Sequence, residues 1–130
     1  MEIQGIFLRA EKLNSSGRVY PVEELTKAIA AVQPRIKEGT FLGTLGQGLA
    51  LEFLPEDASH KIKDVWVDDE GNARASIETL DTPRGKIVEE LIKSEVDFRL
   101  SPRGTGIVDL ETKQVSEYEL YSIDLLEDNE

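Results

Sequence analysis

The segment Arg99-Leu100-Ser101-Pro102-Arg103-Gly104 sets a serine hydroxyl two residues from a guanidinium and next to a Gly-x-Gly turn. A hydroxyl beside a cation and pliable backbone is one way to build a site that accepts an anion. A solvated strand end, where glycine merely permits the turn, is the competing reading. The chain has no cysteine, so a covalent mechanism would have to use Ser, Thr, Lys or a carboxylate. Its one histidine is His60, in Ala58-Ser59-His60-Lys61-Ile62. A lone histidine can serve as a general base, but it is more often a surface group or a satisfied structural one. Carboxylates are plentiful, yet none has a spacing that singles out a hydrolytic pair. One histidine with scattered acids is not a metal-ligand set, and neither metal nor cofactor is expected.

Two other stretches invite a chemical reading and do not sustain it. Gly43-Thr44-Leu45-Gly46-Gln47-Gly48 is glycine-rich but lacks the lysine of a phosphate loop and the dinucleotide pattern, so it reads as a turn with close backbone packing. Asp68-Asp69-Glu70-Gly71-Asn72 lacks the spacing and terminal glutamate of a calcium loop and reads as a solvated turn.

The elements that must position these residues follow from periodicity. Ile3 to Ala10 reads as a strand, and Asn14 to Gly17 as a turn. Pro21 fits the first position of a helix with Glu23 and Glu24 in its first turn. Val22, Leu25, Ile29 and Val32 give that helix an apolar stripe to about Val32, and Pro34 and Gly39 close it. Phe41 to Phe53 reads as extended or looped chain. Ile62 to Val67 and Ala73 to Thr79 form a hairpin around the acidic turn. Thr82-Pro83 starts a second helix with Ile87, Val88, Leu91 and Ile92 on one face, ending near Lys93-Ser94. Val96 to Leu100 returns to strand, Gly104 to Gly106 turns the chain, Ile107 to Leu110 is another strand, and Val115 to Leu126 is a long one. The fold class is α+β: a bent, barrel-like antiparallel sheet of six or seven strands with two packed helices.

At 130 residues the chain fits one domain, 1–130, with a short polar acidic tail at 127–130. A formal charge of −11 argues against nucleic acid, because phosphate contacts need a basic face. It draws the protein toward basic partners or simply keeps it soluble. No apolar run approaches a membrane span, the N-terminus lacks a signal-peptide layout, and the absence of cysteine suits a reducing compartment.

Several motifs, in order, resemble one family. Asn14-Ser15-Ser16-Gly17-Arg18-Val19-Tyr20-Pro21 is similar to an N-x-N-G-R-x-Y-P opening. Ser59-His60-Lys61-Ile62 resembles S-H-x-I. Thr79-Leu80-Asp81-Thr82-Pro83-Arg84-Gly85-Lys86 resembles L-x-T-P-x-G-K. Ser101-Pro102-Arg103-Gly104 is similar to the S-S-R-G of a nucleophile segment, and Ile123-Asp124-Leu125 to a closing I-D-L. These are motifs of the prohead proteases of tailed phages, serine endopeptidases with the fold of the herpesvirus maturation protease. The resemblance spans nearly the whole chain. It implies Ser101 as nucleophile, Arg103 and Gly104 near the oxyanion site, and Asp124 as a supporting acid. It also implies capsid and scaffold proteins as partners, self-association or capsid binding, and a place in the host cytoplasm during assembly and then in the prohead or virion.

The resemblance has departures at the centre. The family's histidine in G-E-L-D-H-P aligns with Gln47, and an amide cannot take a serine proton. The family's glycine two residues before the serine is Arg99. The residue after the serine is Pro102, which has no N–H to offer an oxyanion. His60 stands as a substitute base. The expectation is therefore a phage head protein with the protease fold whose chemistry is lost. An active maturation endopeptidase using Ser101, His60 and Asp124 is the first alternative, and an acidic protein-binding domain the second.

Overall fold

The structure, a computed structural model, describes residues 1–46 and 54–127. Six strands and two helices follow in the order β1 (Glu2–Arg9), α1 (Val22–Glu38), β2 (Leu42–Gly43), β3 (His60–Val67), β4 (Asn72–Thr79), α2 (Pro83–Lys93), β5 (Phe98–Val108) and β6 (Val115–Glu127). Four strands pair in the order β1-β4-β3-β2, and β5 pairs with β6. All these pairs are antiparallel.

The two sheets are joined by the chain that leaves β2. Gly43 pairs with His60 of β3, and two residues on Leu45 bridges Leu125 of β6. Leu125 N donates to Thr44 O (3.1 Å) and Gly46 N to Leu125 O (2.8 Å). At the opposite side Gly5 of β1 faces the Leu100 side chain of β5. The result is a curled, half-closed barrel, as alternating apolar strands that must bury one face require. Phe41, Ile62, Ile77, Ile123 and Leu125 are fully buried at its centre.

Helix α1 runs to Glu38 rather than ending near Val32, with Pro34 inside it. Proline inside a helix costs about 3 kcal/mol, through the lost hydrogen bond and a clash with the carbonyl four residues back. The turn beyond it is held by Ile36, which packs on the core. The helix stops at Gly39, whose left-handed φ of 74° lets Thr40 N reach Arg35 O (2.9 Å) and Gly39 N reach Ile36 O (3.1 Å). Helix α2 starts as its sequence predicts: Thr82 Oγ1 accepts from Gly85 N (3.0 Å), and Pro83 takes the first turn.

The acidic turn is held by its own backbone. Asp68 Oδ1 accepts from Glu70 N and Asn72 N (both 2.9 Å), and Arg74 Nε donates to Oδ2 (2.6 Å). These donors, Arg74 foremost, hold the Asp68 carboxyl down at about 2. Among the described residues no cluster of His, Asp and Glu could hold a metal ion. No helix among them is long and apolar enough to cross a membrane.

Candidate active site

Ser101 is in the middle of β5, not at a strand end, because the expected turn at Gly104 to Gly106 is absent. The strand continues through both glycines with register shifts at Arg103/Gly104 and Thr105/Ile107. A Cβ on Gly104 would meet Glu119 O across the pair. Here glycine admits a close approach of two strands rather than a reversal. Pro102 is tolerated because β5 has a hydrogen-bonded strand partner on one side only.

Across the ladder Ser101 pairs with Asp124 and Arg103 with Ser122. Alternation puts these four side chains on one face of the hairpin. Arg103 reaches diagonally, so that Nε and Nη2 both donate to Asp124 Oδ2 at 2.9 Å. The other carboxylate oxygen accepts from Thr44 N (3.1 Å). Ser122 Oγ lies 3.0 Å from Asp124 Oδ1 and 2.9 Å from Leu42 O, and its one proton can serve either acceptor. Asp124 is 0% exposed and Arg103 5%. A buried carboxylate of this kind persists only when paired and fully hydrogen-bonded, as it is here.

His60, the first residue of β3, is fully buried beside this network. Its Nε2 is 2.6 Å from Ile123 O, and its Nδ1 is 2.8 Å from Ser59 Oγ. A carbonyl can only accept, so Nε2 carries the hydrogen, and Nδ1 accepts from the Ser59 hydroxyl. Burial pulls the imidazole below its ordinary 6.5, while the Ile123 hydrogen bond and the nearby Asp124 charge oppose that shift. Burial thus favours the neutral ring, and both of its nitrogens are committed to structure. Gly43 is what makes room for it, because a Cβ there would run into both the ring and the Ile123 carbonyl.

The structure thus brings Ser101, Arg103 and Asp124 together on one hairpin, with Gly104 one residue beyond. His60, at the start of β3, is turned to Ser59 and Ile123. Gln47 lies outside the described residues. Ser59, Thr44, Ser122 and Gly43 complete the buried network; the sequence marked Ser59 only as part of a motif and Gly43 and Thr44 only as part of a turn, and gave Ser122 no role. Only the i, i+2 spacing of Ser122 and Asp124 within an apolar strand could have pointed to it.

Beside Ser101 a groove of about 560 Å³ opens between β1 and β5, with residues 99–102 on one wall, 6–9 on the other and the loop 12–18 across one end. A larger cleft of about 930 Å³ lies between α1 and the β5–β6 hairpin. It is lined by Thr105 and Tyr121 and holds none of Ser101, His60 or Asp124.

This hairpin-borne serine, set in a half-barrel flanked by two helices, defines a class. The chain belongs to the family of prohead core protein serine proteases, whose model matches residues 1–124. Among solved structures it is similar to the bacteriophage T4 capsid assembly protease, gp21. The two share 22% identity with a TM-score of 0.90, over 96% of this chain and 80% of that one. No curated protein matches significantly.

Proposed function

We propose that this chain is a phage head protein that keeps the prohead-protease fold, acts in capsid assembly in the host cell, and does not cut peptide bonds. The observation that supports this reading is the state of the only imidazole in the chain. A serine nucleophile needs a base within hydrogen-bond reach. His60 donates through Nε2 and accepts through Nδ1 within its own buried network. Asp124, the cross-strand neighbour of Ser101, has both of its oxygens engaged, one by Arg103 and the other by Thr44 N. Pro102 removes the amide that follows the serine. Capsid and scaffold proteins are then docking partners rather than substrates.

One observation favours the rival, an active maturation endopeptidase: Ser101 and Asp124 stand opposite each other across β5 and β6, as a nucleophile and a supporting acid would. That reading still requires a base to replace histidine. A fluorophosphonate probe, which phosphonylates activated serines, separates the two. The expected outcome is no label at Ser101 at neutral pH by intact-mass analysis. Stoichiometric labelling, absent in Ser101→Ala, would show that the serine is activated.

A further inference from the structure

Helix α2 carries a wider apolar arc than the fold uses. Gly85 and Val88 are buried against the rest of the molecule, and Ile92 packs on the core. Pro83, Ile87 and Leu91 recur every four residues and so form a second stripe, turned away from that contact. Pro83 is exposed, Leu91 half-buried and Ile87 49% exposed. The helix that bears this stripe is firmly seated. Thr82 Oγ1 donates to Ala58 O (2.6 Å), and Thr79 Oγ1 to Glu89 Oε2 (2.6 Å). Gly85 lies so close to the Leu80 and Ser59 carbonyls that a Cβ would collide with both.

We infer that α2 is the contact surface of a two-fold, antiparallel association between two copies of this chain. The charges on the helix complement themselves. Lys86 and Glu90 stand one turn apart on the same flank of the stripe. In an antiparallel pair related by a two-fold axis, like flanks face each other, so Lys86 meets Glu90 of the second copy and Glu90 meets its Lys86. Their present partners are Asp81 for Lys86 (3.3 Å) and Lys93 for Glu90 (3.7 Å), in exposed pairs that cost little to exchange. With Arg84, Lys86 and Lys93 against Glu89 and Glu90, α2 sums to +1 in a chain of formal charge −11. Two copies can therefore meet there without adding to their mutual repulsion. A partner of one sign would meet both signs. The 11-residue helix is about 16 Å long, and a crossing that short buries less than the ~1,200 Å² of a tight complex. The association is therefore weak, with a Kd on the order of tens of micromolar. The inference goes beyond the proposed function and holds whether or not Ser101 cuts.

Sedimentation equilibrium of the full chain, from about 5 to about 500 μM, tests it. Wild type should follow a monomer–dimer equilibrium that stops at two. Ile87→Glu should weaken it about tenfold or more, whereas Ile107→Glu, an equally exposed site on β5, should change it less than about twofold. Lys86→Glu and Glu90→Lys should each weaken the dimer, and the double variant should restore it. If net charge alone governed association, Glu90→Lys would instead tighten it, and that result would overturn the antiparallel contact. A monomer across the whole range would overturn the inference, as would a dimer indifferent to Ile87→Glu or a larger closed ring in its place. Circular dichroism checks that each variant keeps its helices.

Discussion

His60 illustrates how surroundings decide what a reactive side chain does. Held between the Ser59 hydroxyl and the Ile123 carbonyl, with no exposed surface, the imidazole has its pKa lowered by burial, which favours the neutral ring. In the unfolded chain it titrates near 6.5. Its folded pKa is depressed, so above 6.5 neither state binds the proton and its contribution to stability is complete. As the pH falls below about 6.5 the unfolded chain takes up a proton that the folded chain refuses, and stability drops until the folded value is reached. Urea unfolding should therefore show stability declining as the pH falls below about 6.5. His60→Gln keeps an amide donor for Ile123 and should flatten that decline, even if the variant is less stable throughout. An unchanged slope in His60→Gln would place the titration elsewhere.

The elements carry a second lesson, through the pairing of β5 with β6. Register places Arg103 and Asp124 diagonally across the hairpin, and their ion pair is flanked by Thr44, just past β2, which donates to Asp124, and by Leu42 of β2, which accepts from Ser122. Asp124→Asn should destabilise by about 3–5 kcal/mol, because it takes the countercharge away from a buried guanidinium. The double variant Arg103→Met/Asp124→Leu should recover most of that loss. Chemical denaturation of the three proteins checks this. A double variant no better than the single would mean that the pair itself, not the lost countercharge, sets the cost.

Much of this layer was legible in the sequence. The Thr82-Pro83 start, the β3–β4 hairpin and the two-helix count all follow from local chemistry. The end of α1 was not, because Pro34 is a local stop signal that core packing beyond it overrides. Nor was the unbroken β5, because Gly104 and Gly106 look like a turn. Their role, admitting Glu119 and Ser116 backbone close by, depends on a partner strand distant in sequence. Ser101 and Asp124 were singled out by motif. The engagement of His60 and Asp124 by their neighbours could not be, since it arises from four elements meeting.

At the scale of the molecule, a prohead-protease half-barrel carries its serine on a hairpin wall. It faces the groove between β1 and β5. Family and fold place the chain among prohead core proteases. The geometry around the one histidine is the reason to read it as a member that binds rather than cuts. The most direct test is to incubate wild-type protein and Ser101→Ala with the co-encoded capsid and scaffold proteins and to identify every fragment by mass spectrometry. The account predicts identical fragment patterns, with the capsid and scaffold chains intact in both. Fragments that appear with wild type and disappear with Ser101→Ala would contradict it.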